Sequence, residues 1–248
     1  MLGLIGGTGL CQLAGLDINE QRWVETPYGD PSAALSFGDL VGRPVVFIAR
    51  HGDPHRIAPH QINYRANLCA LKQVGVTDIV AVNAVGGIHP DLGPSQIAIP
   101  DQIIDYTYGR EHSIYDGVLS ENLDHIDFTY PYNQVLRAAL IQAADSIPLN
   151  ILKSGVYGAT QGPRLESAAE IQRLKRDGCD LVGMTGMPEA SLAKELGMNY
   201  ACIALSVNWA AGLGDSIITM DDIHQALDLG MEKIHQILQA FIAHSNTL

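Results

Sequence analysis

At 248 residues with 47% apolar content, the chain is long enough to bury a sizeable core, and its net charge of −12 argues against nucleic acid or an anionic membrane surface as partner. No segment reaches the roughly 18 apolar residues of a membrane span, and no basic leader precedes the first apolar run, so a soluble chain is expected. Cys11, Cys69, Cys179 and Cys202 lie far apart among apolar neighbours without a Cys-x-x-Cys pair. They read as reduced core thiols of a cytoplasmic protein rather than disulfide partners.

In chain order, residues 2–5 are a short apolar strand feeding Gly6-Gly7-Thr8-Gly9. Such a turn exposes N–H groups and a hydroxyl that can cradle phosphate, although the bland reading is chain reversal. The third glycine of a dinucleotide fingerprint is absent, because Leu10-Cys11-Gln12 follows. Val45–Ala49 is a buried-strand pattern that delivers Arg50-His51-Gly52 at its end, where open α/β sheets place ligand contacts. His51, His55 and His60 raise the question of a metal, but the intervening Gly52, Pro54 and Pro59 exclude a regular helical face and no acid or thiol completes a ligand set. No metal is expected.

Residues 61–74 have helical period, with Ile62, Leu68, Leu71 and Val74 inward and Gly75 as the stop. Ile79–Gly87 is a second buried strand, carrying Asn83 and Ala84 near its end, and 97–100 and 103–105 supply further strand material. The stretch 109–130 lacks a period and reads as a long loop, a length that more often serves function than decoration. A helix over 132–144 follows.

The segment Gly158-Ala159-Thr160-Gln161-Gly162-Pro163-Arg164-Leu165-Glu166-Ser167 comes after an apolar run and ends at Ser167-Ala168-Ala169-Glu170, a capping box. Gly162-Pro163 makes it a tight loop, and Glu166 is either a surface acid at a helix start or an acceptor aimed into a pocket. Residues 181–189 read as strand, turn and helix start, 189–196 as helix, 200–207 as a strand ending at Asn208-Trp209, and Met220 to about His244 as the last helix. Without a linker, charge block or repeat, the alternation predicts one α/β domain over 1–248, a central mixed, largely parallel β-sheet flanked by helices. Arg50, Asn83, Thr185 and Asn208, all at strand ends, would converge on one rim.

Ile5-Gly6-Gly7-Thr8-Gly9-Leu10, Thr26-Pro27-Tyr28-Gly29, Ala49-Arg50-His51-Gly52, Asn63-Tyr64-Arg65-Ala66-Asn67, Tyr115-Asp116-Gly117, Gly162-Pro163-Arg164 and Met184-Thr185-x-x-Pro188-Glu189 run nearly end to end in order. Together they resemble the trimeric purine nucleoside phosphorylases, and within them the methylthioadenosine phosphorylase branch. The resemblance implies phosphorolysis: inorganic phosphate, as co-substrate, displaces a purine from C1′ of a ribose, with no metal or other cofactor. By the same resemblance Thr8, Arg50, His51, Ala84 and Thr185 would bind phosphate, and Asn83 and Met184 would belong to the substrate site, Met184 against the ribose.

The base site departs from the adenine-specific pattern of that branch. Asn208 and Ala210 stand where those enzymes carry two aspartates, Glu166 stands where they carry serine, and Leu165 replaces a phenylalanine. Glu with Asn is the pair of the relatives that use hypoxanthine and guanine. The chemistry agrees: a carboxylate accepts the N1–H of a 6-oxopurine, and an amide serves O6 and a protonated N7. At the 5′ end of the sugar, Met220 and Ile223 occupy the place of a hydroxyl-binding histidine and suit a methylthio group. His224 is adjacent, so a shift of one residue would reverse that reading.

His125 matches a residue that reaches a neighbouring subunit's site, implying a homotrimer. The expected substrate is therefore S-methyl-5′-thioinosine, cleaved to hypoxanthine and 5-methylthioribose 1-phosphate. Inosine or guanosine, and then methylthioadenosine, are the alternatives. A water-using nucleosidase and a non-catalytic purine-binding protein are the readings from other classes.

Overall fold

The computed structural model describes residues 1–7, 15–115, 123–214 and 217–245. Its strands are β1 (Leu2–Gly6), β2 (Leu16–Arg22), β3 (Leu35–Leu40), β4 (Arg43–Ala49), β5 (Asp78–Gly87), β6 (Ile97–Ala98), β7 (Gln102–Asp105), β8 (Val156–Ala159), β9 (Leu181–Gly183) and β10 (Asn199–Trp209). The helices are α1 (Tyr64–Gln73), α2 (Gln134–Asp145), α3 (Ala168–Arg176), α4 (Gly186–Glu195) and α5 (Met220–Ser245). All ten strands form one mixed sheet in the order β2-β3-β4-β1-β5-β9-β8-β7, with β10 on β5 and β6 on β10.

Side-chain alternation along the central strands sorts the core into two layers. Leu2 and Leu4 of β1 and Val80 and Val82 of β5 pack with α2 and α5, including Leu140, Ile234 and Phe241. Ile5, Ile79 and Ala81 face the other way, onto Leu68 and Leu71 of α1 and Leu192 of α4. Because both faces are covered, these strands read as continuous apolar runs, which is why they are visible in the sequence. A third, smaller cluster joins Ile171 and Leu174 of α3 to Val182 and Ala210. Helix starts follow side-chain chemistry: Asn63 Oδ1 accepts from the Ala66 N–H at 3.1 Å, and the Ser167–Glu170 capping box is closed by bonds of 2.7 and 3.2 Å.

The decisive feature is β5. β10 pairs with one of its edges from end to end. The other edge is shared: β1 runs parallel to Asp78–Ala81, and β9 runs antiparallel to Gly86–Gly87. Between them, residues 82–85 have no strand partner on that edge among the described residues. Opposite strand directions make the carboxyl ends of β1 and β9 point at each other across this break. Crevices at the carboxyl ends of strands are where open α/β sheets bind ligands.

Several expectations need correction. β2 and β3 form an antiparallel edge of the sheet that the sequence reading lacks; β2, Leu-Asp-Ile-Asn-Glu-Gln-Arg, is almost wholly exposed and so carries no apolar run. The helix expected over 61–74 begins at Tyr64, after a 3-10 turn at Pro59–Gln61. Strand material at 97–100 shortens to Ile97–Ala98. The described parts of the long loop, 109–115 and 123–130, hold no helix or strand. Among the described residues, no helix is long and apolar enough to cross a membrane.

Candidate active site

The break along β5 opens into a cavity of about 270 Å³ that has Gly7, Ala84, Val85, Gly86, Val182 and Gly183 in its walls. Arg50, His51, Thr185, Glu166, Leu165, Asn208, Ala210, Met184, Met220 and Ile223 also line it. Segments as distant as Arg50 and Ile223 thus meet in one concavity.

Arg50 follows the last residue of β4 and is fully buried, as is its ion-pair partner Glu189 of α4. Its Nε and Nη2 donate to Glu189 Oε2 and Oε1, both at 2.7 Å, a bidentate pair. Nη1 donates to the carbonyl of Val82 at 3.0 Å, one of the β5 positions left between β1 and β9, and Nη2 also donates to Asn83 Oδ1 at 3.2 Å. The fork expected to grip an anion is therefore taken by Glu189. Among the described residues, one of the five guanidinium N–H groups, on Nη1, remains for the cavity. Burial opposes the charged form, yet the Glu189 carboxylate outweighs it and holds the Arg50 pKa above its ordinary value. A fixed cation at the cavity wall is the result. Gly7 permits it: a Cβ there would lie 2.6 Å from the Val82 carbonyl oxygen and 2.9 Å from Arg50 Nη1.

Asn83 does not line the cavity. It is buried behind it, and its Nδ2 donates to Thr185 Oγ1 at 2.8 Å. With its oxygen already accepting, Thr185 has its own proton to give to an anion. His51 Nδ1 stands 2.8 Å from the carbonyl of Ile57, which can only accept, so this nitrogen carries the hydrogen. Burial, then the Arg50 charge, pushes the imidazole down to about 4. A neutral ring leaves its other nitrogen as an acceptor. Thr8 lies outside the described residues.

Glu166 precedes the α3 cap, and Thr160 Oγ1 donates to its Oε1 at 2.6 Å, leaving Oε2 unengaged among the described residues. Glu166 and Asn208 border the same cavity, the placement that the pocket reading requires. Asn208 is placed by a bulge: the β10–β5 register shifts between Ser206 and Asn208. Bulges re-aim side chains in this way. Asn208 Nδ2 donates to the Trp209 carbonyl at 2.7 Å, which keeps Oδ1 and one N–H available. Gly162 has φ +61°, and a Cβ there would meet Met184 Sδ at 2.5 Å, so only glycine lets this loop lie against Met184.

Ile223 lines the cavity whereas His224 is exposed and does not. Met220 is 60% exposed at the cavity mouth. His125 is exposed and outside the cavity of its own chain. His51 and His55 stack at 4.3 Å, and among the described residues no group of three His, Cys, Asp or Glu is placed to hold a metal ion. Sequence reasoning assigned no role to Glu189 or Thr160. A lone acid in the Gly186–Ala193 stretch, whose other residues save Ser191 are apolar or glycine, was the available signal for Glu189, and Thr160 offered none.

The sequence pattern of the Phosphorylase superfamily matches residues 2–243. A protein of Pseudomonas syringae pv. tomato named "Probable S-methyl-5'-thioinosine phosphorylase" is 54% identical over 98% of both chains. The 6-oxopurine nucleoside phosphorylase of Pyrococcus furiosus is 40% identical over 97% of this chain and 91% of its own. Among solved structures, methylthioadenosine phosphorylase from Schistosoma mansoni in complex with adenine superposes with a TM-score of 0.94 at 30% identity, over 100% of this chain and 92% of that one. Matched along nearly its whole length, with its cavity at a break between strand ends, the chain belongs to the phosphorylase superfamily.

Proposed function

We propose that the protein catalyses phosphorolysis of S-methyl-5′-thioinosine to hypoxanthine and 5-methylthioribose 1-phosphate. The observation that carries this reading is Glu166 and Asn208 bordering one cavity that the apolar Ile223 also lines. The relatives named for methylthioinosine and 6-oxopurine nucleosides support the same choice.

Hydrogen phosphate sits beside the Arg50 cation, receives the Thr185 proton in a hydrogen bond, and offers its own P–O–H to the free nitrogen of neutral His51. Ala84 supplies a main-chain donor, and Thr8 a hydroxyl. One phosphate oxygen bonds to C1′ as the C1′–N9 bond breaks, and the bonding pair leaves with the purine. The transition state is oxocarbenium-like, as in glycoside hydrolysis. The proton lost from phosphate balances the one gained by the purine at N7, so inorganic phosphate is the sole co-substrate. Asn208 Oδ1 accepts from N7–H and its remaining N–H serves O6; bonds that strengthen as charge moves onto the base lower the barrier. Glu166 Oε2 accepts the N1–H. In adenine, N1 is itself an acceptor, so two lone pairs would face each other, and an unsatisfied buried group costs about 1–3 kcal/mol.

His125 at a subunit boundary and assembly as a homotrimer complete the proposal, on the strength of the family resemblance. The buried free thiols of Cys69, Cys179 and Cys202 fit a cytoplasmic setting. The test is phosphate-dependent cleavage of methylthioinosine, inosine and methylthioadenosine, each with and without phosphate. Preference for inosine would move the assignment to ordinary 6-oxopurine nucleosides, and preference for methylthioadenosine would overturn the base reading. Equal turnover without phosphate would indicate a nucleosidase.

A further inference from the structure

We propose that Arg110 is a positioning residue that fixes the chain segment leading to Glu166 relative to the segment carrying Met184 and Thr185, all three of which line the substrate cavity; the inference rests on the 6-oxopurine reading above. Arg110 belongs to the loop after β7, outside the cavity lining, and is only 8% exposed. A buried guanidinium ordinarily meets a carboxylate. Here, among the described residues, its partners are neutral. Nη1 donates to the carbonyls of Met184 and Met187 at 2.8 and 2.7 Å, and Nη2 to those of Gln161 and Thr160 at 2.8 and 3.2 Å. Nε reaches Gln161 Oε1 at 3.2 Å, and Nη1 the Tyr64 hydroxyl at 3.3 Å.

These carbonyls belong to two separate pieces of chain. One, Thr160–Gln161, leads through Gly162 to Glu166. The other, Met184–Met187, holds Met184 and Thr185, which line the cavity beside the ribose and phosphate places. A planar guanidinium with donors in a rigid fork fixes the spacing between the two. Thr160 extends the link: its carbonyl accepts from Arg110, and its hydroxyl holds Glu166 Oε1 at 2.6 Å. Arg110 thus never touches the base yet determines where the base-reading carboxylate stands. A displacement of about 1 Å at a reacting site can cost roughly 100-fold in rate. An ammonium at this position has three donors around one point and cannot span both segments.

The test compares Arg110→Lys, Arg110→Gln, Thr160→Val and Glu166→Gln with the parent enzyme, using methylthioinosine and methylthioadenosine at saturating phosphate, together with thermal melting. Arg110→Lys is expected to remain folded and to lose about ten- to 100-fold in kcat/KM for methylthioinosine, chiefly through kcat. The ratio of kcat/KM between the two nucleosides should fall at least about tenfold, because a misplaced carboxylate no longer discriminates at N1. A merely structural arginine would lower both substrates by one factor; that outcome, or no change, overturns the proposal. If neither Arg110 variant folds, Thr160→Val decides, since it removes only the hydroxyl that holds Glu166: a reduced ratio supports the link, and an unchanged one refutes it. A parent enzyme without 6-oxopurine preference would sink both this inference and the functional reading. Preference lost in Glu166→Gln but kept in the Arg110 and Thr160 variants would sink this inference alone.

Discussion

Glu189→Gln replaces one oxygen of the carboxylate that faces Arg50 with an amide nitrogen. The substitution is nearly isosteric, so no cavity is created, but the bidentate pair at 2.7 Å is broken. The new amide sets N–H against a guanidinium N–H, while its oxygen can keep only part of what Glu189 Oε1 now accepts from Arg50 and from the Tyr200 hydroxyl at 2.8 Å. Both members of the pair have zero exposure, so water cannot substitute for the lost charge. Removing one partner of a buried ion pair typically costs about 3–5 kcal/mol. For a chain of this size each kcal/mol moves the melting point by roughly 2–4 °C, so the variant should melt about 6–20 °C below the parent. Added phosphate supplies a counter-charge to Arg50 and should raise the melting point of the variant, and its KM for phosphate should rise while that for nucleoside changes little. Thermal melts with and without phosphate, with steady-state kinetics, measure all of this. A variant melting within about 2 °C of the parent with an unchanged phosphate KM would refute the account of Arg50 as a cation fixed by Glu189.

Asn208→Asp should shift preference away from 6-oxo and toward 6-amino substrates by at least about tenfold, read as a ratio of kcat/KM, because a carboxylate cannot donate to O6. Ile223→His should improve inosine relative to methylthioinosine, since an imidazole at the apolar end gives the 5′-hydroxyl a partner; competition between the two nucleosides reports it. His51, held at about 4, is neutral through the physiological range. Its folded pKa lies below the ordinary value of about 6.5, so the unfolded chain takes the proton first and stability falls as pH drops from about 6.5 toward 4. The melting point of His51→Gln should therefore decline less steeply over that window than the parent's; parallel declines would remove His51 from the explanation.

The central strands were legible because they are buried on both faces, so Val45–Ala49, Ile79–Gly87 and Tyr200–Val207 stand out as apolar runs ending in polar residues. The α3 start was legible because its cap is written in the side chains that make it. The β2–β3 edge was not, since an exposed strand has no need of apolar residues and Asp17-Ile18-Asn19-Glu20 resembles a loop. Residues at strand ends announced Arg50, Thr185 and Asn208, but not how they are held. Asn83 looked like a ligand contact, yet its side chain is buried and bonded to Arg50 and Thr185, because a place at a strand end does not say what a side chain meets. Arg110 bonds chiefly to main-chain carbonyls, which leave no mark on residue identity, so no spacing rule could have found it.

The break along β5 is made by backbone: two strands stop short of each other on one edge of a third. That seam is tied together by Arg50, which is bonded to the carbonyl of Val82. The side chains proposed to recognise the purine and the sugar's far end arrive on unrelated segments, Glu166 before α3, Asn208 past a bulge and Ile223 on α5. On the proposed reading, the anchorage for the attacking oxyanion and the choice of leaving group are carried by different segments, so one foundation would accommodate other nucleoside preferences through changes at a few rim positions.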